Sequence, residues 1–241
     1  MDVGKSIGYV FEDKKWTNKL LIGLLVSIVP IVNFALLGWV IDIMRNVSKR
    51  EPLPLPEWGD FGDKFVKGAI LFVVGLIYSL PALLLTCPLF IAPFTRGDFS
   101  RDGQQAVASL FVGTALALSC AIGLYMLLLS FLMPAIYLNF ARKGTFGAGF
   151  EFSEIWRIMS KNLGDYIVAW LIIIVVGVGV TFVIGLVAGV LVFIPCCGWI
   201  LSWVLLGMAG VYIMAVFGHL FGQIGAEPPG QEVASARKYA E

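Results

Sequence analysis

Four stretches of this 241-residue chain contain no Asp, Glu, Lys, Arg or His: residues 20–41, 68–95, 103–141 and 166–218. Each exceeds the ~18 apolar residues that mark a candidate transmembrane helix. A backbone in hydrocarbon finds no water for its N–H and C=O groups, so such runs must bond within themselves as helices. The expected fold is an all-α, polytopic membrane helical bundle, with the lipid bilayer as its first partner. Charged residues are 14% of the chain, where a soluble domain carries about 25%. The net charge of +1 gives no reason to expect nucleic acid as a partner.

At about 1.5 Å per residue, run 68–95 suffices for one crossing. Run 166–218 must cross twice, with its break at "FIPCCGW" (193–199), where Pro195 and Gly198 interrupt a helix. Runs 103–141 and 20–44 are ambiguous by length, and Pro30, followed by Asn33, divides the latter. Basic residues arbitrate, because Lys and Arg collect on the cytoplasmic side. They number 4 in residues 1–19, 5 in 45–67, 2 in 96–101, 4 in 142–161, none in 193–199 and 2 in 237–238. With 103–141 as one span and 20–44 folded back, the two sides hold 15 and 2, the most polarised threading. The expectation is a membrane domain over 1–223, with a broken, re-entrant or strongly tilted hairpin over 20–46. Four full spans follow at 67–94, 106–140, 166–192 and 199–222. Both termini are then expected on the cytoplasmic side of the cytoplasmic membrane, with 224–241 as a mobile tail.

Three surface elements complete this map. Residues 1–16 put Val3, Ile7, Val10 and Phe11 on one helical face, as in an amphipathic helix lying on the inner leaflet with Trp16 at headgroup depth. Within 150–163, Phe152, Ile155, Trp156, Met159 and Leu163 form a stripe opposite Glu154, Arg157, Ser160 and Lys161, with Ser153 in the N-cap position. Residues 52–66 read as a hinge and interfacial turn. Pro52, Pro54 and Pro56 hold an extended run that cannot continue a helix. Pro56 suits the first turn of the next helix, and Trp58 then shares a face with Phe61 and Phe65. Asp60–Lys64 and Asp63–Lys67 are i,i+4 pairs in the favourable order.

Inside the spans, small residues recur every fourth position: Ser109, Gly113, Ala117 and Ala121, then Gly177, Thr181, Gly185 and Gly189. Such ladders serve helix packing, within the chain or between copies and with other membrane proteins. Polar residues are few: Asn33, Asp42, Asn139 and His219. Asp42 lies near Arg45 and His219 near a span end, so both are expected at the membrane boundary, the His ring reaching water. In a transporter, Asn33, Asp42 and His219 would be the candidate polar site. Cys87, Cys120, Cys196 and Cys197 read as small buried hydrophobes, and the last two lack CxxC spacing.

No P-loop, GxGxxG, GxSxG or HExxH occurs, and one His cannot serve a multi-histidine metal centre. No catalytic, cofactor-binding or metal residues are assigned, and no cofactor is expected.

Three segments carry a resemblance: "PLPEWGDFGDKFVKG" (54–68) followed by "GLIYSLPALLL" (75–85), "FARKGTFGAGFEFSEIWRIMSKNLGDYIVAW" (140–170), and "FIPCCGWIL" (193–201). In these the chain resembles the DUF4013 family of uncharacterised prokaryotic membrane proteins. The resemblance covers most of residues 1–223 and implies a helical membrane domain, with no reaction or ligand residue to carry over. The leading functional expectation is a non-enzymatic interaction or membrane-organising protein. The alternatives are a transporter or lipid-handling channel built around Pro30 and Pro88/Pro93, and an intramembrane enzyme.

Overall fold

The computed structural model describes residues 1–91, 101–194 and 197–226. Among them there are only helices and turns: α1 (Val3–Glu12), α2 (Trp16–Ile28), α3 (Phe34–Ser48), α4 (Phe61–Ile91), α5 (Arg101–Lys143), a 3-10 turn (Phe146–Phe150), α6 (Phe152–Lys161), α7 (Leu163–Leu191) and α8 (Cys197–Gly225). Four helices are long and apolar enough to cross a membrane, over Phe61–Cys87, Val112–Lys143, Leu163–Leu191 and Cys197–Gly225. The chain is thus an all-α, polytopic membrane protein. The run 103–141 belongs to a single helix that continues through Pro134. Residues 20–44 lie in α2 and α3, which part at Pro30, where the chain leaves helical geometry after Ile28.

Two compact units form. One comprises Met1–Phe72 with the chain from Ala135 onward, the other Val73–Pro134. In the second unit the Tyr125 hydroxyl donates to the Tyr78 carbonyl, tying α5 to α4. Its flanks are lipid-like, with Leu84, Leu116, Leu124 and Leu128 exposed.

In the first unit α8 is the axis. Its C-terminal part is buried from Ala215 through Val216 and from Gly218 through Gly222. Along it, α1 runs antiparallel: the Tyr212 hydroxyl donates to the Ile7 carbonyl at 3.0 Å, and the Tyr9 hydroxyl to the Ala215 carbonyl at 2.9 Å. Farther along α1, the Asp2 N–H donates to Gln223 Oε1 at 2.7 Å. Helix α3 runs parallel to α8, Ile43 touching Gly218 and Val47 touching Gly222. Helix α2 meets α8 deeper, through Gly23 on Val211 and Leu24 on Gly207.

These contacts order the elements along α8: α3 meets it at Gly218 and Gly222, while Leu24 of α2 meets it at Gly207, about 16 Å from Gly218 along the axis. The hairpin turns shortly after and returns to the same end of α8, where the Ser48 hydroxyl is 3.0 Å from the Gly222 carbonyl. Its outward face, Leu21, Leu25, Ile28 and Ile31, is exposed and apolar as lipid contact requires.

The surface elements differ from expectation in informative ways. Helix α1 lies along α8 rather than flat on a leaflet, because its buried face is Ser6, Tyr9 and Val10, with Ile7 and Phe11 exposed. Helix α4 starts at Phe61, not Pro56. In α6 the buried face is Ile155, Ile158 and Met159, while Phe152 and Trp156 of the expected stripe, with neighbouring Leu163, point outward. Its N-cap is Glu151, not Ser153. Cys87, Cys120 and Cys197 are exposed free thiols rather than buried. Cys196, Pro93, Pro195 and the tail beyond Ala226 lie outside the described residues.

Candidate functional site

Pro52, Pro54 and Pro56 have no N–H to donate, so what they offer is carbonyl acceptors. Residues 51–60 use them in succession. The Pro54 carbonyl accepts from Asn46 Nδ2 at 3.1 Å, Leu55 from Lys19 Nζ at 2.7 Å, and Pro56 from Trp39 Nε1 at 3.1 Å. Trp58 closes the strap: its Nε1 donates to the Lys19 carbonyl at 2.9 Å, and its indole stacks on Trp39. The hinge read from Pro52, Pro54, Pro56 and Trp58 is thus a clamp across α2 and α3. Arg50 enters it at φ 58, a left-handed conformation uncommon outside glycine.

Beneath the strap sit two ion-pair clusters. Lys19, 4% exposed, reaches Asp13 at 2.7 Å and Glu57 at 3.4 Å. Burial presses the Asp13 carboxyl toward its neutral form. The hydrogen bonds from Lys19 and the Lys15 N–H outweigh this and hold it below the usual 3.8. Asp42, 6% exposed, is gripped by Lys67 at 2.7 Å and Lys64 at 3.4 Å, and Lys67 also holds Asp63. The expected i,i+4 bridge from Asp63 forms. The one from Asp60 does not, because Lys64 turns to the buried carboxylate whose charge needs neutralising.

A third cluster joins α1 to α8. Ser6 Oγ lies 2.9 Å from His219 Nδ1, Gln223 Nε2 donates to Ser6 Oγ at 2.8 Å, and Tyr9 stacks on the imidazole at 4.2 Å. His219 is 3% exposed, so the ring expected to reach water is covered by α1. Burial pushes the Tyr9 phenol well above its usual range. A fourth set steadies the entry to α6: Asn139 donates to the Ala148 carbonyl at 2.8 Å and to Glu151 at 3.1 Å. Lys143 and Asn139 together hold the Glu151 carboxyl below its ordinary value.

Three cavities accompany these clusters. One of about 690 Å³ opens beside the strap and is lined by both charges, among them Lys14, Arg45, Glu51 and Asp60. A second, of about 480 Å³, lies where α1, α7 and α8 meet the start of the strap. A third, of about 600 Å³, is apolar and lies at the far end of α7 and α8, between Gly185, Gly189, Trp199 and Trp203.

The other expected residues fall apart in space. Asn33 is exposed in the hairpin turn, while Asp42 and His219 have separate partners, so these three form no common polar site. The ladders do not make the tight contacts. Gly113, Ala117 and Ala121 are exposed, Thr181 is exposed, and a Cβ on Gly185 or Gly189 would meet nothing within 4 Å. Gly177 comes only within 3.9 Å of Ile213. The Ser109 side chain lies outside the described set. Close approach instead uses Gly38 and Gly68, where a Cβ would run into the backbone carbonyls of Lys64 and Phe34. Sequence reading passed over Lys19, Trp39 and Asn46. A lysine at the mouth of an apolar run and a Trp within one both carry donors that burial obliges to find acceptors, and that was the available signal.

Among the described residues no group of three or more His, Cys, Asp or Glu side chains is placed to hold a metal. No curated protein and no solved structure matches the chain. Residues 21–193 match the family described as "Protein of unknown function (DUF4013)", taking in the hairpin, the strap and α4 to α7. The match spans 173 of 241 residues, and the chain is a member of the DUF4013 family.

Proposed function

We propose that this protein is a non-enzymatic component of the cytoplasmic membrane that presents its strapped, ion-paired cap to other membrane proteins or to the bilayer surface. The observation that carries this reading is the use already made of the buried polar groups. Asp13 and Asp42 are each bound to lysines, Ser6 is bonded to His219 and Gln223, and Asn139 spans a loop. A nucleophile or proton relay needs a group poised for change, whereas these groups are held in fixed structural bonds. The basic-residue asymmetry supports a cytoplasmic position for the cap and both termini. A photo-crosslinking residue at Leu53, an exposed position on the strap, tests this in intact cells. A discrete, reproducible protein adduct supports the reading; adducts to lipid alone, or specific solute flux in proteoliposomes, overturn its protein-docking form.

The lipid-handling alternative retains one observation of its own, the apolar cavity between Trp199, Trp203 and the Gly185/Gly189 edge of α7. Lipid scrambling by reconstituted protein that a Gly189→Leu substitution abolishes would favour it.

A further inference from the structure

Helix α6 is tied to the membrane from both ends. Residues 142–165 are all that separate two runs without ionisable side chains, 103–141 and 166–218. Asp165, the last ionisable residue before the second run, is exposed in the first turn of α7. A charge there stays at the water boundary rather than in hydrocarbon. The 29 residues of α7 measure about 43 Å, the span of a bilayer with its headgroup layers, so α7 uses its whole length in crossing. Asn162 alone separates it from α6. Its φ of −138 and ψ of 54 take the chain out of helical geometry, so α6 turns away from α7 rather than prolonging it. At the other end Lys143, the last residue of α5, is bridged to Glu151, the residue before α6.

Successive helical residues stand about 100° apart, and around α6 they fall into three sectors. Ile155, Ile158 and Met159 are buried against the protein. Phe152 and Trp156, 62% and 69% exposed, form a second sector beside Met159. Ser153, Arg157, Ser160 and Lys161, all exposed, form the third. A helix standing clear of the membrane needs only a protein side and a water side. One lying in the interface needs a further side, apolar and open, for lipid. Tryptophan suits that level, with an apolar ring and an N–H that keeps to water. Phe146 of the preceding 3-10 turn, 46% exposed and packed on Phe150 at 5.3 Å, adds to the open apolar surface. Past Asn162 such surface continues along α7 in Leu163, Ile167, Val168 and Leu171.

We infer that α6 is an interfacial anchor, lying across the membrane surface between the ends of α5 and α7 with its Phe152–Trp156 face sunk among lipid headgroups. The bilayer is the occupant of that face because both tethers hold it at headgroup level, where lipid is what an open apolar sector meets. The inference is independent of the docking role proposed for the strap.

Spin labels report the depth. In the full-length chain with its four cysteines replaced by serine, Phe152→Cys, Trp156→Cys and Lys161→Cys each carry one nitroxide. Each variant is reconstituted into phosphatidylcholine vesicles, and the first two each keep the other aromatic, so the probe does not remove the anchor. Power saturation compares collisions with oxygen, which concentrates in lipid, and with a neutral nickel chelate, which stays in water. The labels replacing Phe152 and Trp156 show an oxygen-to-nickel ratio several-fold above that of the label replacing Lys161. The inference fails if all three ratios are equal, which leaves the aromatic face in water and open to a soluble partner. It also fails if the first two labels are shielded from both reagents, which puts a second copy of the chain over them.

Discussion

The indoles of Trp39 and Trp58 lie 5.5 Å apart with planes 6° from parallel, and their N–H groups point to different segments of the same clamp. Trp39 reaches forward to the Pro56 carbonyl and Trp58 back to the Lys19 carbonyl. Stacking and hydrogen bonding act together here. Trp58→Ala is expected to lower stability by about 2 kcal/mol, the sum of one aromatic pair and one hydrogen bond, and Trp58→Phe by about 1 kcal/mol. Thermal unfolding in detergent measures the loss, and limited proteolysis after Glu57 reports release of the strap.

Asp42 is the shared counter-ion of Lys64 and Lys67, with side-chain exposures of 9%, 5% and 15%. Removing its charge leaves Lys64 buried without its carboxylate. Asp42→Asn should destabilise by about 3 kcal/mol, and Asp42→Leu combined with Lys64→Met should recover part of that loss. Equal unfolding midpoints for Asp42→Asn and the native chain would show that the cluster contributes nothing.

Asp13 supplies a pH dependence with a definite sign. Its carboxyl is held below the ordinary value of 3.8 in the folded chain. Its contribution is therefore complete above the unfolded value and is lost as pH falls through the lower folded value. Stability of the native chain should drop on acidification below about pH 4. Asp13→Asn should be less stable at neutral pH, with the gap narrowing in that acid window. Melting midpoints of both chains across pH decide it.

Glycines at close approaches and glycines on open faces make opposite predictions. Gly38→Ala forces a methyl into the Lys64 carbonyl, and the resulting separation of α3 and α4 should destabilise by about 2 kcal/mol or more. Gly185→Ala meets no atom within 4 Å and should be neutral or slightly stabilising. Paired melts in one detergent suffice.

In a cysteine-free background, Lys14→Cys and Lys49→Cys should be labelled from one face of sealed vesicles and Phe193→Cys from the other. Reactivity of the first two from opposite faces would dismantle the hairpin threading.

Periodicity and charge spacing made the helices legible, because a crossing segment must be long, apolar and self-bonded, whatever it packs against. The break of 20–44 into two short helices was legible from Pro30, which cannot continue a helix. What escaped was set by long-range partners. Pro56 carries local signals for a helix start, yet its carbonyl is committed to Trp39, and α4 waits until Phe61. Asp60 has the right spacing for Lys64, but spacing along one helix says nothing of a buried Asp42 on another. The ladders make no close contact within the chain, because helical spacing shows that a flat face exists, not that another segment of the same chain lies against it. His219 was placed near a span end correctly, but that α1 would cover it depended on contacts some 213 positions apart in the chain.

Helices α1, α2 and α3 all lean on α8, the last helix of the described chain. A ribosome therefore delivers the lysines and carboxylates of the first sixty-odd residues long before their supporting surface exists. The packing of α1, α2 and α3 is completed only once α8 is in place, and a premature stop anywhere before α8 should leave them without that support.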